Sequence, residues 1–243
     1  NITSEVEKEH RLAEKTHLLE KVSGELDRFI YSASHDLRSP ISTLKGLLAL
    51  HTMEGAKCSA EYMDLMHQTL AKLDSHIRKL IDFARVAHEP ILCAEVDFKE
   101  LLTCVNHDLK SHCSYSRVHY RQMLSPKSSF RSDGLRIRTI LYQVMKNSFD
   151  FFDMNKSNAF ASVNVLYHQD GVRIEITDNG MGIEKEYLPH VFEMFYRGNH
   201  KSTGSGLGLY LVHEALIKIK GSIEINSVLG VGTAVTITIP SQN

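Results

Sequence analysis

The feature that most restricts the fold is a seven-residue apolar repeat across residues 4–52. Leu12, Leu19, Leu26, Ala33, Pro40 and Leu47 take one inward position of the repeat, and Ile30, Leu37 and Leu44 take the other. Such a repeat keeps its apolar side chains on one seam of a helix, so the segment is expected to be a coiled-coil or bundle strand. Thr16 and Ser23 are weak seam residues, so the seam starts softly. A break follows at TMEGAKCS, residues 52–59. A second helix is expected from Ala60 to Ala87, with Met63, Met66, Leu70, Leu73, Ile77, Leu80 and Ala84 spaced alternately by three and four. Two long helices on a short loop make a hairpin that cannot bury both seams alone. A homodimer that closes a four-helix bundle is therefore expected.

The pattern changes after HEPIL, residues 88–92, where a proline ends the helix and the chain reads as a linker. LRIRTILYQVMKNSFDFF (135–152) is an apolar helix, and residues 206–219 form another. NAFASVNVLYHQDGVRIEITDNG carries two strands around a turn at Gln169–Gly171, and SIEINSVLGVGTAVTITIP closes as a hairpin through Gly230 and Gly232. The expected fold is multidomain: an all-α helical hairpin over 1–90, then an α+β sandwich over 95–243 with helices on one face of a largely antiparallel sheet.

Composition excludes some function classes. Lys plus Arg number 28 against 29 Asp plus Glu, which leaves no basic footprint for nucleic acid. No apolar run reaches the length of a membrane span. The chain opens at Asn1 rather than Met, so it is expected to be a fragment, with any membrane anchor upstream. Cys58, Cys93, Cys104 and Cys113 show no disulfide framework, and a reducing, cytoplasmic compartment is expected. Cys104, His107, His112 and Cys113 put four soft ligands within ten residues, without the tight, regular pairs of a zinc site. They read instead as a polar helix and its exit loop.

Three patches of the second half carry chemistry. In DNGMGI (178–183) Asp178 ends a strand, and Gly180 and Gly182 let backbone approach a flat ligand closely. An acid there suits an exocyclic amine such as adenine's. In GSGLGLYLV (204–212), Gly204, Gly206, Leu207 and Gly208 open a helix, and exposed N–H groups at a helix start suit phosphates. The spacing matches neither G-x-G-x-x-G nor a P-loop. In QVMKNSFDFF (143–152), Asn147 sits in an apolar helix, where its amide oxygen can hold Mg²⁺ beside waters and phosphates. Each patch alone reads equally as a turn, a glycine-rich helix entry or a solvent-facing asparagine.

Their order and spacing together resemble the GHKL ATP-binding fold of sensor histidine kinases, DNA gyrase, mismatch-repair ATPases and heat-shock chaperones. FEMFYRG (192–198) resembles the F box of histidine kinases. The resemblance implies that Phe192 and Phe195 anchor a mobile lid, RGNHKSTGSG, and that Arg197 reaches the γ-phosphate. GVGTAVTITIP resembles the last patch of that fold, which puts Thr233 near the adenine acid.

SHDLRSP resembles the H box of the kinase dimerisation domain, which implies that His35 accepts the phosphoryl group. The heptad register puts His35 on the outermost position, which argues against a core histidine. Asp36 would hold one ring N–H and fix the tautomer, reaching sideways along the helix. Arg38 and Ser39 follow three and four residues on, on the face of His35. Family members often use Thr or Asn at the place of Ser39 to position a water for the reverse reaction. Pro40 lacks an N–H, so the helix is expected to bend there. Two positions depart from the family pattern: Gln143 stands where Asn is usual, and Asp150 stands where a basic residue would meet phosphates. Lys146 or Arg138 would have to compensate. The resemblance implies a homodimeric sensor histidine kinase that uses ATP and Mg²⁺, phosphorylates His35 and passes the group to an aspartate of a response-regulator receiver. The rival readings are a dimeric scaffold or phosphatase with weak catalysis, and a hydrolytic ATPase of the same fold.

Overall fold

The structure, a computed structural model, describes residues 37–50, 60–110, 112–126, 128–198 and 206–242, together with Thr16, Gly24, Ile30, Tyr31, Ala33, Ser34 and Thr52. It divides into two compact units, residues 1–81 and 82–243.

In the first unit a helix over residues 37–50 (α1) continues through Pro40. Pro40 and Leu47 are buried, and Leu37 and Leu44 are half-buried. These are the four positions that the heptad turns inward. Arg38 and Ser39 are exposed on the other side. Helix α2 runs Ala60–His88. Its sheltered face is Tyr62, Met66, Thr69, Leu73, His76 and Leu80. The expected stripe shares only part of this face, because Met63, Leu70 and Ile77 stay 47, 50 and 42% exposed. At about 3.6 residues per turn, two neighbouring stripes fit the same three-and-four spacing. Thr69 can turn inward because its hydroxyl donates to the Leu65 carbonyl (2.7 Å).

The units divide at Ile81, inside α2, so the end of that helix belongs to the second unit. The reason lies in the last turn of the helix. A helix end leaves carbonyls without intrahelical donors. Arg136, 1% exposed, donates from Nη2 to the carbonyls of Val86 (3.1 Å) and Glu89 (2.6 Å). Its Nη1 donates to Asp133 Oδ2 (2.5 Å), and Asp133 also accepts from Leu92 N (3.1 Å). Val86 is 2% exposed in the core of the second unit.

That unit adds β1 (Cys93–Glu95), α3 (Phe98–Leu109), β2 (His119–Leu124), β3 (Arg131–Asp133), α4 (Gly134–Asp150), β4 (Phe160–His168), β5 (Gly171–Asp178), α5 (Gly208–Lys218), β6 (Ser222–Val228) and β7 (Gly232–Pro240). The five-stranded sheet runs β2-β4-β5-β7-β6, and β1 pairs with β3 apart from it. Only the β2–β4 pair of that sheet is parallel, so the sheet is largely antiparallel. Alternate residues on β4, β5 and β7 (Val163, Val165, Ile174, Ile176, Ile237 and Ile239) face one core. Phe98 and Leu102 of α3, Ile137 and Leu141 of α4, and Leu211 and Leu216 of α5 complete it. A period of two on the strands and about 3.6 on the helices thus give the two-layer α+β sandwich. Asp133 caps α4 by accepting from Arg136 N (3.0 Å), and Asp97 caps α3 through Lys99 N (2.8 Å).

Candidate active site

Asp178 closes β5 and is paired with Thr233 at the start of β7. Its Oδ1 accepts from Gly180 N (2.9 Å) and Thr233 N (3.3 Å). Its Oδ2 accepts from the Ser148 hydroxyl of α4 (2.9 Å). Burial pushes this carboxyl above its ordinary value, against the three hydrogen bonds and the positive charge of Lys156. A carboxylate offers roughly four acceptor positions, so one remains for a ligand donor.

The two glycines after Asp178 are close approaches. A side chain at Gly180 would lie 2.5 Å from the Phe151 carbonyl oxygen. Gly182 has φ +70°, and a side chain there would lie 2.1 Å from the Val228 carbonyl oxygen. The loop therefore presses backbone to backbone against the α4–β4 loop and the β6–β7 turn. Ser227 adds a clasp: its hydroxyl receives Ile183 N (2.8 Å) and contacts the Thr233 hydroxyl (2.9 Å).

Gly208 begins α5 against α4. A side chain there would sit 3.1 Å from Gln143 Oε1 and 4.0 Å from Asn147 Oδ1. Both amide oxygens therefore face the start of α5. Leu207, buried, caps this helix without a side-chain hydrogen bond. Phe195 N donates to the Gly206 carbonyl (3.0 Å), and both residues have positive φ, +65° and +71°. This bond ties the two ends of the glycine-rich lid together. Phe192 packs on His213 of α5 at a centroid distance of 5.5 Å.

The structure thus brings Asn147, Asp178, Gly180, Gly182, Gly208 and Thr233 to one end of the sheet, with Phe195, Gly206 and Leu207 at the lid base. Arg197 is exposed beside the lid. His35, Asp36 and Gly204 lie outside the described residues. Two contributors were missed by sequence reasoning. Ser148 follows Asn147 but points about 100° further round the helix, toward the sheet. Lys156 stands in a polar loop without any motif.

Comparison with known proteins follows the same division. Residues 25–89 match the His Kinase A (phospho-acceptor) domain. Residues 132–243 match the histidine kinase-, DNA gyrase B-, and HSP90-like ATPase domain. The chain is a sensor histidine kinase core. The kinase core is 27% identical to the methanogenesis regulatory histidine kinase FilI of Methanothrix harundinacea over 240 residues, 95% of this chain and 26% of FilI. The histidine kinase AdeS of Acinetobacter baumannii shares its fold, with a TM-score of 0.67 at 21% identity over 86% of this chain and 98% of that one. So does histidine kinase ThkA, solved in complex with response regulator protein TrrA, with a TM-score of 0.62 at 14% identity over 86% and 60% of the two chains. The chain spans 26 to 29% of the length of the first curated relatives it matches. Its second unit is an ATPase domain, which supports the use of ATP.

The kinase core resolves the departure at Asp150 with its own side chains. Asp150 Oδ2 accepts from Lys146 Nζ one helical turn back, and Oδ1 faces His112 Nε2 (2.7 Å). His112 Nδ1 accepts from Ser114 N (3.2 Å), so Nε2 carries the proton donated to Asp150. Arg138 is paired with Asp108 (2.6 Å). His112 is thereby spent on Asp150, and among the described residues no three His, Cys, Asp or Glu side chains are set to hold a metal. Among them also, no helix is long and apolar enough to cross a membrane.

Proposed function

We propose that this kinase core transfers the γ-phosphoryl group of ATP to His35 and then hands it to an aspartate of a response-regulator receiver. Residues 1–90 would form the dimerisation and phospho-acceptor hairpin, and residues 95–243 would bind the nucleotide. The observation that carries this reading is Asp178: a carboxylate with three donors already placed and one acceptor position left, at the meeting of α4, β5 and β7. That position suits the exocyclic amine of adenine. The close backbone packing at Gly180 and Gly182 would hold the loop that carries this carboxylate in place beside the base.

Phosphates would lie toward α5, whose first N–H groups have no side-chain cap. The oxygens of Asn147 and Gln143 fit Mg²⁺, which takes one or two protein oxygens and completes its shell with water and phosphate. Bound there, the ion would neutralise phosphate charge. Arg197 would meet the γ-phosphate when the lid closes. Lys146 is the cation of α4 that Asp150 holds in place, so it supports the reading that the phosphate contact has moved back one turn.

In the transfer itself, a neutral ring nitrogen of His35 forms the bond to γ-phosphorus. The bond to the β–γ bridging oxygen breaks, and ADP leaves. Asp36 would hold the other ring N–H, and Arg38 would balance charge on the same exposed face. Ser39 offers an exposed hydroxyl for placing the water of the reverse reaction. The exposed stripe of Met63, Leu70 and Ile77 supports a homodimer that completes the bundle. Free thiols at Cys93, Cys104 and Cys113 support a reducing, cytoplasmic setting.

The test is incubation with γ-labelled ATP. Wild type should take up acid-labile label, and His35→Gln should take up none. Equal labelling of the two proteins would sink the role of His35.

A further inference from the structure

The loop after α4 turns sharply: Asn155 N donates to Asp153 Oδ1 (3.0 Å) and Lys156 N to the Asp153 carbonyl (3.1 Å). The turn sends Lys156 between the loop after β5 and the β6–β7 turn. Its Nζ donates to four main-chain carbonyls: Asn179 (2.7 Å), Gly230 (2.8 Å), Val231 (3.1 Å) and Gly180 (3.3 Å). An ammonium has three N–H groups, so one is shared between two acceptors. Backbone carbonyls gathered about one positive charge are also the surroundings that a dehydrated monovalent cation takes.

Two of the carbonyls belong to the loop after Asp178 and two to the turn before Thr233. The same two segments supply Asp178 with its backbone donors, Gly180 N and Thr233 N. They also meet at Gly182 against Val228, and through Gly230 N to the Met181 carbonyl (2.7 Å). Without the cation, four like-oriented carbonyl dipoles would face one another and push the segments apart.

We propose that Lys156 is a positioning residue for nucleotide recognition. Its ammonium does the work of a monovalent cation in a carbonyl cage and holds the two segments at the spacing where both N–H groups reach Asp178. It acts through Asp178 and touches no substrate. The proposal rests on the reading of Asp178 as the adenine contact.

The experiment uses the whole chain, as wild type, Lys156→Ala and Lys156→Gln, in choline, potassium or ammonium chloride at one ionic strength. ATP affinity is measured by calorimetry, and the rate of His35 labelling at saturating ATP is measured alongside. In choline, Lys156→Ala should lose about tenfold in ATP affinity, the scale of buried acceptors deprived of their donor. Its labelling rate at saturating ATP should stay within about twofold of wild type, a loss confined to binding. Ammonium or potassium should restore most of the affinity of Lys156→Ala. Neither should restore Lys156→Gln, whose side chain fills the cage, and wild type should ignore the choice of cation. A purely structural lysine would lower thermal stability without any cation dependence. Unchanged ATP affinity in choline, a loss indifferent to the cation, or equal rescue of Lys156→Gln would overturn the proposal. If Lys156→Ala does not fold in choline, refolding in ammonium or potassium supports it, and failure in all three salts overturns it. Failure of the underlying reading looks different: wild type itself would then bind no ATP.

Discussion

The helical unit and the sheet unit follow the same rule of apolar periodicity but close their cores differently. In the sheet unit, Phe98, Leu102, Ile137, Leu141 and Ile174 are fully shut off from solvent. In the helical unit, Leu47 retains 9% exposure, while Leu48, Met63, Leu70 and Ile77 keep 54, 47, 50 and 42%. A sheet covered by helices is a complete sandwich, whereas the proposed two-helix hairpin would be half of a bundle. On that reading the stability of the helical unit would depend on a partner and therefore on concentration. Within the sheet unit, Arg136 stitches the last turn of α2 into the closed core.

This contrast can be broken or sharpened by three measurements. The largest effect is expected from Leu70→Glu with Ile77→Glu. Four charges in a closed bundle should weaken dimerisation by about a thousandfold or more, given about 1.5–3 kcal/mol per buried aliphatic side chain. Light scattering should report a monomer, while the unfolding midpoint of the sheet unit stays put. An unchanged dimer mass would mean that the exposed stripe is not the seam.

Next is Arg136→Met. It leaves Asp133 buried without its cation and strips donors from Val86 and Glu89. Breaking a buried pair in this way should cost about 3–5 kcal/mol in urea unfolding of the sheet unit. The dimer should survive. A loss within the range of an ordinary surface substitution, about 0.5 kcal/mol, would show that the clamp is idle.

The smallest effect on stability concerns Asp178→Asn, which should nevertheless abolish ATP binding. Burial raises the Asp178 carboxyl above its ordinary value. A raised carboxyl contributes stability that is fully present below its unfolded value and is lost as pH rises through the folded value. Asparagine does not titrate. The stability of wild type relative to the variant should therefore be greatest in acid, fall across that window and then level off. The opposite slope would mean that the three hydrogen bonds and Lys156 outweigh burial at Asp178, and retained ATP binding would refute the adenine assignment.

Much of the site was legible because turn chemistry is local. D-x-G-x-G after a strand, three alternating glycines before a helix and an asparagine in an apolar helix each signal themselves within a few residues. The structure then sets Asp178 opposite Thr233 and Asn147 beside Gly208. Asp150 was legible as an exception but not in its consequence. That it binds Lys146 and His112 depends on a residue 38 positions away.

The sequence by itself determined the two-part architecture, the inward positions of α1 and the acid, amide and glycines that gather at one end of the sheet. These follow from periods of 2 and about 3.6 and from backbone conformations that few residues tolerate. Only the tertiary structure decided which of two adjacent stripes on α2 is sheltered, which hydroxyl steadies Asp178 and where the Lys156 ammonium goes. Side-chain periodicity fixes a face only within a stripe's width. Lys156 meets its carbonyls across 23 to 75 residues of sequence. A contact of that kind exists only once distant segments have been brought together, and no local pattern announces it.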